Sequence, residues 1–161
     1  MTSRPLFLVA ILASVFAGCS RPAPEVKSVT PAADPEPPPD QSRHFPQAGL
    51  VKMDRVPIHL LGKKFMPGGN LASYKRGKLE YQQFLGKMPD PDHAAFLLLD
   101  WNKELKGARY LAHMGGYFGF DGSLAGGQPI YVFTKGAWIA GIRGLPEDKA
   151  DGIAREFAAR L

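Results

Sequence analysis

The sequence predicts an α+β domain, an antiparallel sheet of about five to six strands with two helices, preceded by a signal peptide and a disordered linker. Short apolar segments bounded by glycine or proline occur between residues 56 and 88 and again between residues 110 and 142, which is typical of strands. Two other segments, opening at Asp90 and Pro146, carry apolar residues at helical spacing. Residues 19–48 are rich in proline and poor in large apolar side chains, which is typical of a linker.

Length and charge limit the function classes open to the chain. Of its 161 residues, 1–18 are predicted to be a signal peptide, 19–48 a tether and 49–161 a single globular domain. The net charge is +5, and lysine and arginine are in excess between Gly49 and Met88. In an exported chain this excess favours an anionic envelope polymer or lipid headgroups over nucleic acid.

The first 18 residues have the three parts of a secretory signal. Arg4 gives a positive start, an apolar run follows from residue 5 to residue 17, and the small residues Ala17 and Gly18 precede Cys19. The apolar run is shorter than the roughly 20 residues that a membrane-spanning helix needs. The pattern therefore predicts export.

The segment Phe16-Ala17-Gly18-Cys19 resembles the lipobox of bacterial lipoproteins. The resemblance implies that Cys19 receives a diacylglycerol, that the signal is cut before it, and that the chain is anchored to a membrane by lipid. Ser20 stands where an aspartate often retains lipoproteins at the inner membrane, so the outer membrane facing the periplasm is implied if the source has two membranes. The alternative is an ordinary signal peptide with an incidental cysteine. Cys19 is the only cysteine, so its acylation leaves no thiol for disulfides or metal sites.

The tether after Cys19 is expected to be disordered as far as Ala48, because it has too few apolar residues to offset the entropy of ordering. Its prolines favour a polyproline II spacer that holds the domain away from the membrane. The alternative is a proline-rich ligand for another protein.

The globular domain is predicted to begin with a strand at residues 56–61, which Pro57 places at a sheet edge. Residues 67–70, Pro-Gly-Gly-Asn, are predicted to form a turn. Residues 71–88 then have the pattern of a hairpin around Arg76-Gly77. The second strand of this hairpin alternates imperfectly, which is typical of a β-bulge.

The first helix is predicted to start at Asp90, a capping residue, with Pro91 at its first position, and to stop at Gly107. Its buried stripe has helical spacing and comprises Ala94, Leu97, Leu98, Trp101 and Leu105. The last helix is predicted to open at Pro146. Its buried stripe comprises Ala150, Ile153, Ala154, Phe157 and Leu161.

Between the helices, residues 110–120 are predicted to form one or two strands broken at Gly115-Gly116, and residues 121–127 a loop. Residues 129–142 then form the clearest hairpin, with Lys135-Gly136 as a two-residue turn. That turn pairs Phe133 with Trp138, Val132 with Ile139 and Tyr131 with Ala140. Both faces of this hairpin are apolar, which predicts cover on both sides. The simplest arrangement of the two helices nevertheless places them on one face of the sheet.

No residue is identified as catalytic, cofactor-binding or metal-ligating. His59, His93 and His113 lack the spacing of a metal site, and a structural or surface role is the alternative that we favour. The glycine-rich stretch 115–122 precedes a predicted strand, whereas a phosphate-binding loop opens a helix. No serine lies in a nucleophile elbow. Enzymatic activity is uncertain, and this pattern favours a non-enzyme.

Two groups of residues are candidates for a partner surface. The first is the aromatic face of the last hairpin, which is exposed if both helices cover the opposite face; the alternative is that these side chains lie in the core. The second is part of the basic excess, for which the alternative is a solvated face without a specific ligand. The residues concerned are Tyr131, Phe133 and Trp138 in the first group, and Lys63, Lys64, Lys75 and Arg76 in the second.

The sequence therefore favours a lipid-anchored envelope protein whose domain is a binding or interaction module on a flexible stalk. Its partner is expected to be an envelope protein or an anionic envelope polymer. Two alternatives stay open: a periplasmic enzyme with an unrecognised active site, and a carrier of a lipid or another apolar ligand.

Overall fold

The structure, a computed structural model, describes residues 36–111 and 118–161. It confirms the α+β fold: these residues form one antiparallel sheet of seven strands with two α-helices, slightly more strands than predicted. Short 3-10 turns lie at Ser42–His44 and Leu60–Gly62. The other elements are β1 (Leu50–Val56), β2 (Gly69–Arg76), β3 (Leu79–Lys87), α1 (Pro91–Glu104), β4 (Lys106–Leu111), β5 (Phe118–Ser123), β6 (Pro129–Lys135), β7 (Trp138–Arg143) and α2 (Glu147–Ala158).

The sheet consists of two meanders that meet at its centre. Its strand order is β1-β2-β3-β7-β6-β5-β4, and all neighbours are antiparallel. Strands β1 to β3 run from one edge inward, and α1 then connects β3 to β4 at the opposite edge. Strands β4 to β7 return to the centre, where β7 pairs with β3. Residues far apart in sequence therefore become neighbours on β3 and β7.

The two helices lie on opposite faces of the sheet. Helix α1 contributes Leu98 and Trp101 to a core with Phe84 of β3 and Ile139 of β7. Helix α2 contributes its alanines and Phe157 to a separate core on the other face. The expected placement of both helices on one face is therefore wrong. The expected cover on both sides of the last hairpin is confirmed, because apolar side chains on both faces of β6 and β7 need two covering layers.

The first strand lies earlier in the chain than predicted. Strand β1 ends at Val56, and the next residues form a loop with a 3-10 turn. Pro57 has no N–H to donate to a ladder, while His59 and Leu61 have φ of 56° and 59°, which no strand residue adopts. The turn predicted at residues 67–70 is also corrected, because Gly69 is the first residue of β2.

Both hairpins are confirmed, but each turn begins one residue later than predicted. Their two-residue loops are Gly77-Lys78 and Gly136-Ala137, and the two glycines have φ of +62° and +52°. Glycine at the first loop position suits the type II′ turn that matches strand twist. In the second hairpin Phe133 pairs with Ala140 instead of Trp138. This shift of two positions leaves every side chain on its predicted face, because side chains alternate with a period of two. The β2–β3 register is continuous, so the bulge predicted in β3 is wrong; the irregularity lies in β1.

In α1, only the start agrees with the boundaries predicted from the capping signals. The Asp90 carboxylate accepts a hydrogen bond from the N–H of His93 at 2.9 Å, as expected for a cap. At the other end α1 stops at Glu104, and Gly107, with φ of +64°, lies in an irregular part of β4 instead of ending the helix. The predicted loop at residues 121–127 overlaps the end of β5. The predicted break at Gly115-Gly116 lies outside the described residues.

Residues 36–48, expected to be part of the tether, pack against the domain. Phe45 is buried with its ring 5.0 Å from that of Phe157. The Tyr74 hydroxyl donates to the carbonyl oxygen of Pro46 at 2.9 Å, and Arg55 donates to that of Pro38 at 2.6 Å. The boundary predicted at residue 49 is therefore corrected, because a single large aromatic side chain is enough to seat this segment on the core. The rest of the predicted tether and the signal peptide lie outside the described residues.

Candidate functional site

A cleft of about 550 Å³ opens on the α1 side of the sheet, near the tip of the β2–β3 hairpin. Helix α1 packs over β5, β6 and β7, and the cleft lies beyond it. A volume of this size is within the range of small-ligand sites. The cleft is lined by Val51, Ser73, Tyr74, Lys75, Glu80, Tyr81, Gln82, Gln128, Arg143 and Gly144.

The floor of the cleft is a row of polar side chains on three adjacent strands. Ser73 of β2 pairs with Gln82 of β3, which pairs with Arg143 of β7. Residues opposite each other on neighbouring strands share a face, so the three side chains stand side by side. Arg143 reaches this row only because the long connection through α1 and three further strands returns β7 to the side of β3.

Hydrogen bonds join the row in one direction. An Nη2 hydrogen of Arg143 is donated to the side-chain oxygen of Gln82, and the Gln82 amide in turn donates to Ser73 Oγ at 3.2 Å. The Ser73 hydroxyl therefore acts as an acceptor toward Gln82 and keeps its own hydrogen for another partner. These bonds fix the direction of the Gln82 side chain.

Arg143 carries a charge that no carboxylate balances within the described part of the chain. Gln82 is its one hydrogen-bond partner there, and its Nε is buried without a partner. Burial lowers the pKa of the Arg143 guanidinium below its usual range, because removing a charge from water disfavours the charged form. The other two charged residues that line the cleft neutralise each other, since Lys75 contacts Glu80 at 2.6 Å. The cleft therefore has one uncompensated positive charge.

The three aromatic candidates pack against the core on the α2 side instead of forming an exposed face. Tyr131 and Phe133 are 1% and 0% exposed beneath α2, so of the two alternatives left by the sequence the core position holds. The Tyr131 hydroxyl donates to Asp151 of α2 at 3.0 Å. Trp138 is partly buried, with the His44 ring at 5.2 Å and the Lys87 ammonium at 4.2 Å from its ring. Exposure of this face required both helices to cover the opposite one, and α2 covers this face instead.

The four basic candidates do not form one patch. Lys63 and Lys64 lie in the loop before β2, whereas Lys75 and Arg76 are the last two residues of that strand. Lys63 contacts Glu104 of α1. Lys75 and Arg76 face opposite sides of the sheet, and Arg76 is 3.6 Å from Glu156 of α2. Of all seven candidate residues, only Lys75 lines the cleft.

The histidines lie apart from one another. His59 is in the exposed loop after β1, instead of in the predicted strand, and the His93 ring is 2.8 Å from the carboxylate of Asp90. His113 lies outside the described residues. Within residues 36–111 and 118–161 no three histidine, cysteine or acidic side chains are close enough to hold a metal ion.

Sequence reasoning missed two arginine positions. Arg109 of β4 contacts Asp121 of β5 at 2.5 Å and Glu147 of α2, which ties the sheet edge to the helix and raises the pKa of the Arg109 guanidinium. Arg143 could have been found from alternation alone, since it follows Ile139-Ala140-Gly141-Ile142 in a strand that is apolar on both faces. A charged residue at the end of such a strand is therefore a candidate for a functional role.

Comparison with known proteins does not narrow the function. No protein-family model matches the chain, and no similar sequence is found among curated proteins. In the described residues, no helix has both the length and the apolar character needed to cross a membrane.

Proposed function

We propose that the chain is an exported bacterial lipoprotein, anchored through acylated Cys19, and that its domain is a binding module whose site is the Arg143 cleft. The lipobox-like segment before Cys19 supports the anchor, and Ser20 supports the outer membrane of a two-membrane source. The partly buried, unbalanced charge of Arg143 is the observation that carries the binding function.

Arg143 is a charged side chain that is partly removed from water. A charged group that is partly removed from water without an opposite charge lowers the stability of the fold. Replacing it with an apolar side chain of similar length would remove that cost. Strained or desolvated charges in clefts are typical of sites that act on a ligand, because the ligand supplies the missing partner.

The cleft supports binding more directly than catalysis or lipid carriage. All ten of its lining residues are described, and neither histidine nor cysteine is among them. Ser73 accepts a hydrogen bond from an amide instead of donating to a base, which is the reverse of an activated nucleophile. The floor is polar, whereas a carrier of lipid requires a largely apolar cavity.

Metabolic labelling with an alkyne-bearing fatty acid tests the anchor. We expect the intact chain to take up the label and to fractionate with membranes, and the Cys19→Ser chain to lose both properties. Ser20→Ala is the matched control and should keep both. Labelling that persists in Cys19→Ser would contradict the anchor.

In-cell photocrosslinking tests the binding module. A photoreactive residue at Gln128, on the wall of the cleft, should give a discrete adduct that disappears when Arg143→Met is added. The same residue at Asn102, on the exposed side of α1, is the control and should give none. No adduct at Gln128, or one that Arg143→Met leaves unchanged, would contradict the proposal.

A further inference from the structure

We infer that the cleft takes a small molecule bearing a carboxylate with one negative charge, held by the Arg143 guanidinium and the Ser73 hydroxyl. This inference rests on the proposed binding function and names its ligand class. It follows from three properties of the cleft: its charge, its free donors and its size.

The charge favours a monoanion. Among the residues that line the cleft, Lys75 and Glu80 neutralise each other at the rim, so Arg143 is the charge that remains to attract an anion to the floor. One negative charge on the ligand balances it. A dianion, such as the doubly ionised form of inorganic phosphate, would carry a second charge into the cleft without a partner, which lowers its affinity.

The free donors match a carboxylate. In the Arg143 guanidinium, Nη2 donates to Gln82 and Nε is buried, but Nη1 has no hydrogen-bond partner within the described residues. The Ser73 hydroxyl has an undonated hydrogen in the same row. Two donors of this kind, one of them charged, suit the two oxygens of one carboxylate, and charge-assisted bonds are the stronger kind.

The size leaves room for the rest of a small molecule. About 550 Å³ is far more than a carboxylate fills. Gly144 keeps one wall open: it has φ of +100°, and a Cβ there would lie 3.5 Å from the Glu80 carbonyl oxygen and 3.8 Å from the Gln128 amide nitrogen. Only glycine adopts this conformation without strain.

The test is an NMR titration of the intact chain in detergent, labelled with ¹⁵N in arginine and glycine. The probes are sodium acetate, inorganic phosphate and tetramethylammonium chloride at matched ionic strength. We expect acetate to shift the Arg143 side-chain and Gly144 amide signals saturably in the millimolar range, more tightly than phosphate does, with no saturable shift from the cation. In Arg143→Met the affinity read from Gly144 should fall about tenfold or more.

Lys78→Met is the matched control, since it makes the same change in net charge at an exposed turn next to the cleft. It should leave the acetate affinity unchanged. Equal shifts in Arg143→Met, tighter binding of phosphate than of acetate, or no saturable shift from any anion would overturn the inference. If no anion gave a saturable shift but the Gln128 adduct still formed in cells, the ligand class would be wrong and the binding function would stand. If there were neither a saturable shift nor a Gln128 adduct, the ligand class and the proposed binding function would both be rejected.

Discussion

The two faces of the sheet differ most where β2, β3 and β7 lie side by side. On the α2 side, Tyr74 and Tyr81 stack with ring centroids 5.1 Å apart and planes 8° from parallel, and Ile142 is fully buried beside them. One residue along each strand, the opposite face carries Ser73, Gln82 and Arg143 around an open cleft. The same three strands thus support a filled core on one side and a row of donors on the other.

This difference separates residues that stabilise the fold from residues that cost stability. The filled face is sealed by α2 and by residues 36–48, which place Phe45 against Phe157. The open face has no helix over its polar row, and its central charge is partly desolvated. We conclude that side-chain alternation along these strands gives the two faces different roles: one face holds the domain together and the other is available to a ligand.

The largest expected effect comes from opening the filled face. Phe157→Ala should lower the free energy of unfolding by about 3–5 kcal/mol, because Phe157 is fully buried and packs on Phe45 and Phe133. Phe96→Ala makes the same change on the exposed side of α1, where Phe96 is 68% exposed, and should cost less than about 0.5 kcal/mol. Urea unfolding of the two variants measures the contrast. Similar losses would contradict the assignment of the core.

A smaller effect of opposite sign is expected at Gln83. This side chain is fully buried on the α2 side, between Ala72 and Ile142 on the adjacent strands, and neither amide atom has a partner among the described residues. Gln83→Met should raise the free energy of unfolding by about 1–3 kcal/mol, since it removes unpaired polar atoms at similar volume. Gln82→Met, one residue along, breaks the row in the cleft and should give no gain. A higher free energy of unfolding in Gln82→Met, but not in Gln83→Met, would contradict the assignment of the two faces.

Arg143→Met is expected to change stability little while weakening binding about tenfold or more. The free energy of unfolding should be unchanged or higher by up to about 1 kcal/mol, because a partly desolvated charge is lost and Gln82 regains water in an open cleft. Calorimetric melting of the variant beside the parent measures this. A loss as large as that of a core residue would show that Arg143 serves the fold.

The smallest effect is a pH dependence on the sealed face. Hydrogen bonds from Arg155 and Tyr131 hold the pKa of Asp151 below its usual value of 3.8. Its stabilisation is therefore complete above that value and is lost as the pH falls through the lowered pKa. The melting temperature of Asp151→Asn should lie below that of the parent near neutral pH, and the two should converge in acid. A gap that is constant with pH would contradict this linkage.

Much of the fold could be predicted because it depends on local signals. Alternation assigned the side chains of β6 and β7 to their faces even though the turn was misplaced, since a shift of two positions preserves the faces. The cap at Asp90 located the start of α1. The side of the sheet on which each helix packs is a tertiary property, and residues 36–48 were misjudged because composition does not reveal that Phe45 has a cavity to fill.

The candidate site could not be predicted for a similar reason. Ser73, Gln82 and Arg143 become neighbours only when β7 returns beside β3, and no local pattern encodes that pairing. The aromatic candidates followed from assuming a single helical layer. Once both faces are covered, Tyr131 and Phe133 belong to the core and the unusual residue of the hairpin is the arginine at its end.

The central claim is that the face of Ser73 is open and attracts anions while the face of Ala72 is closed. Thiol labelling tests it in chains whose own Cys19 is changed to serine, with a cysteine placed at residue 73 or at residue 72. At residue 73 we predict that a sulfonate-bearing methanethiosulfonate reacts several-fold faster than a quaternary ammonium analogue, and that Arg143→Met removes the preference. At residue 72, which is fully buried, neither reagent should react in the folded protein. Equal rates for the two reagents at residue 73, or ready labelling at residue 72, would contradict the account.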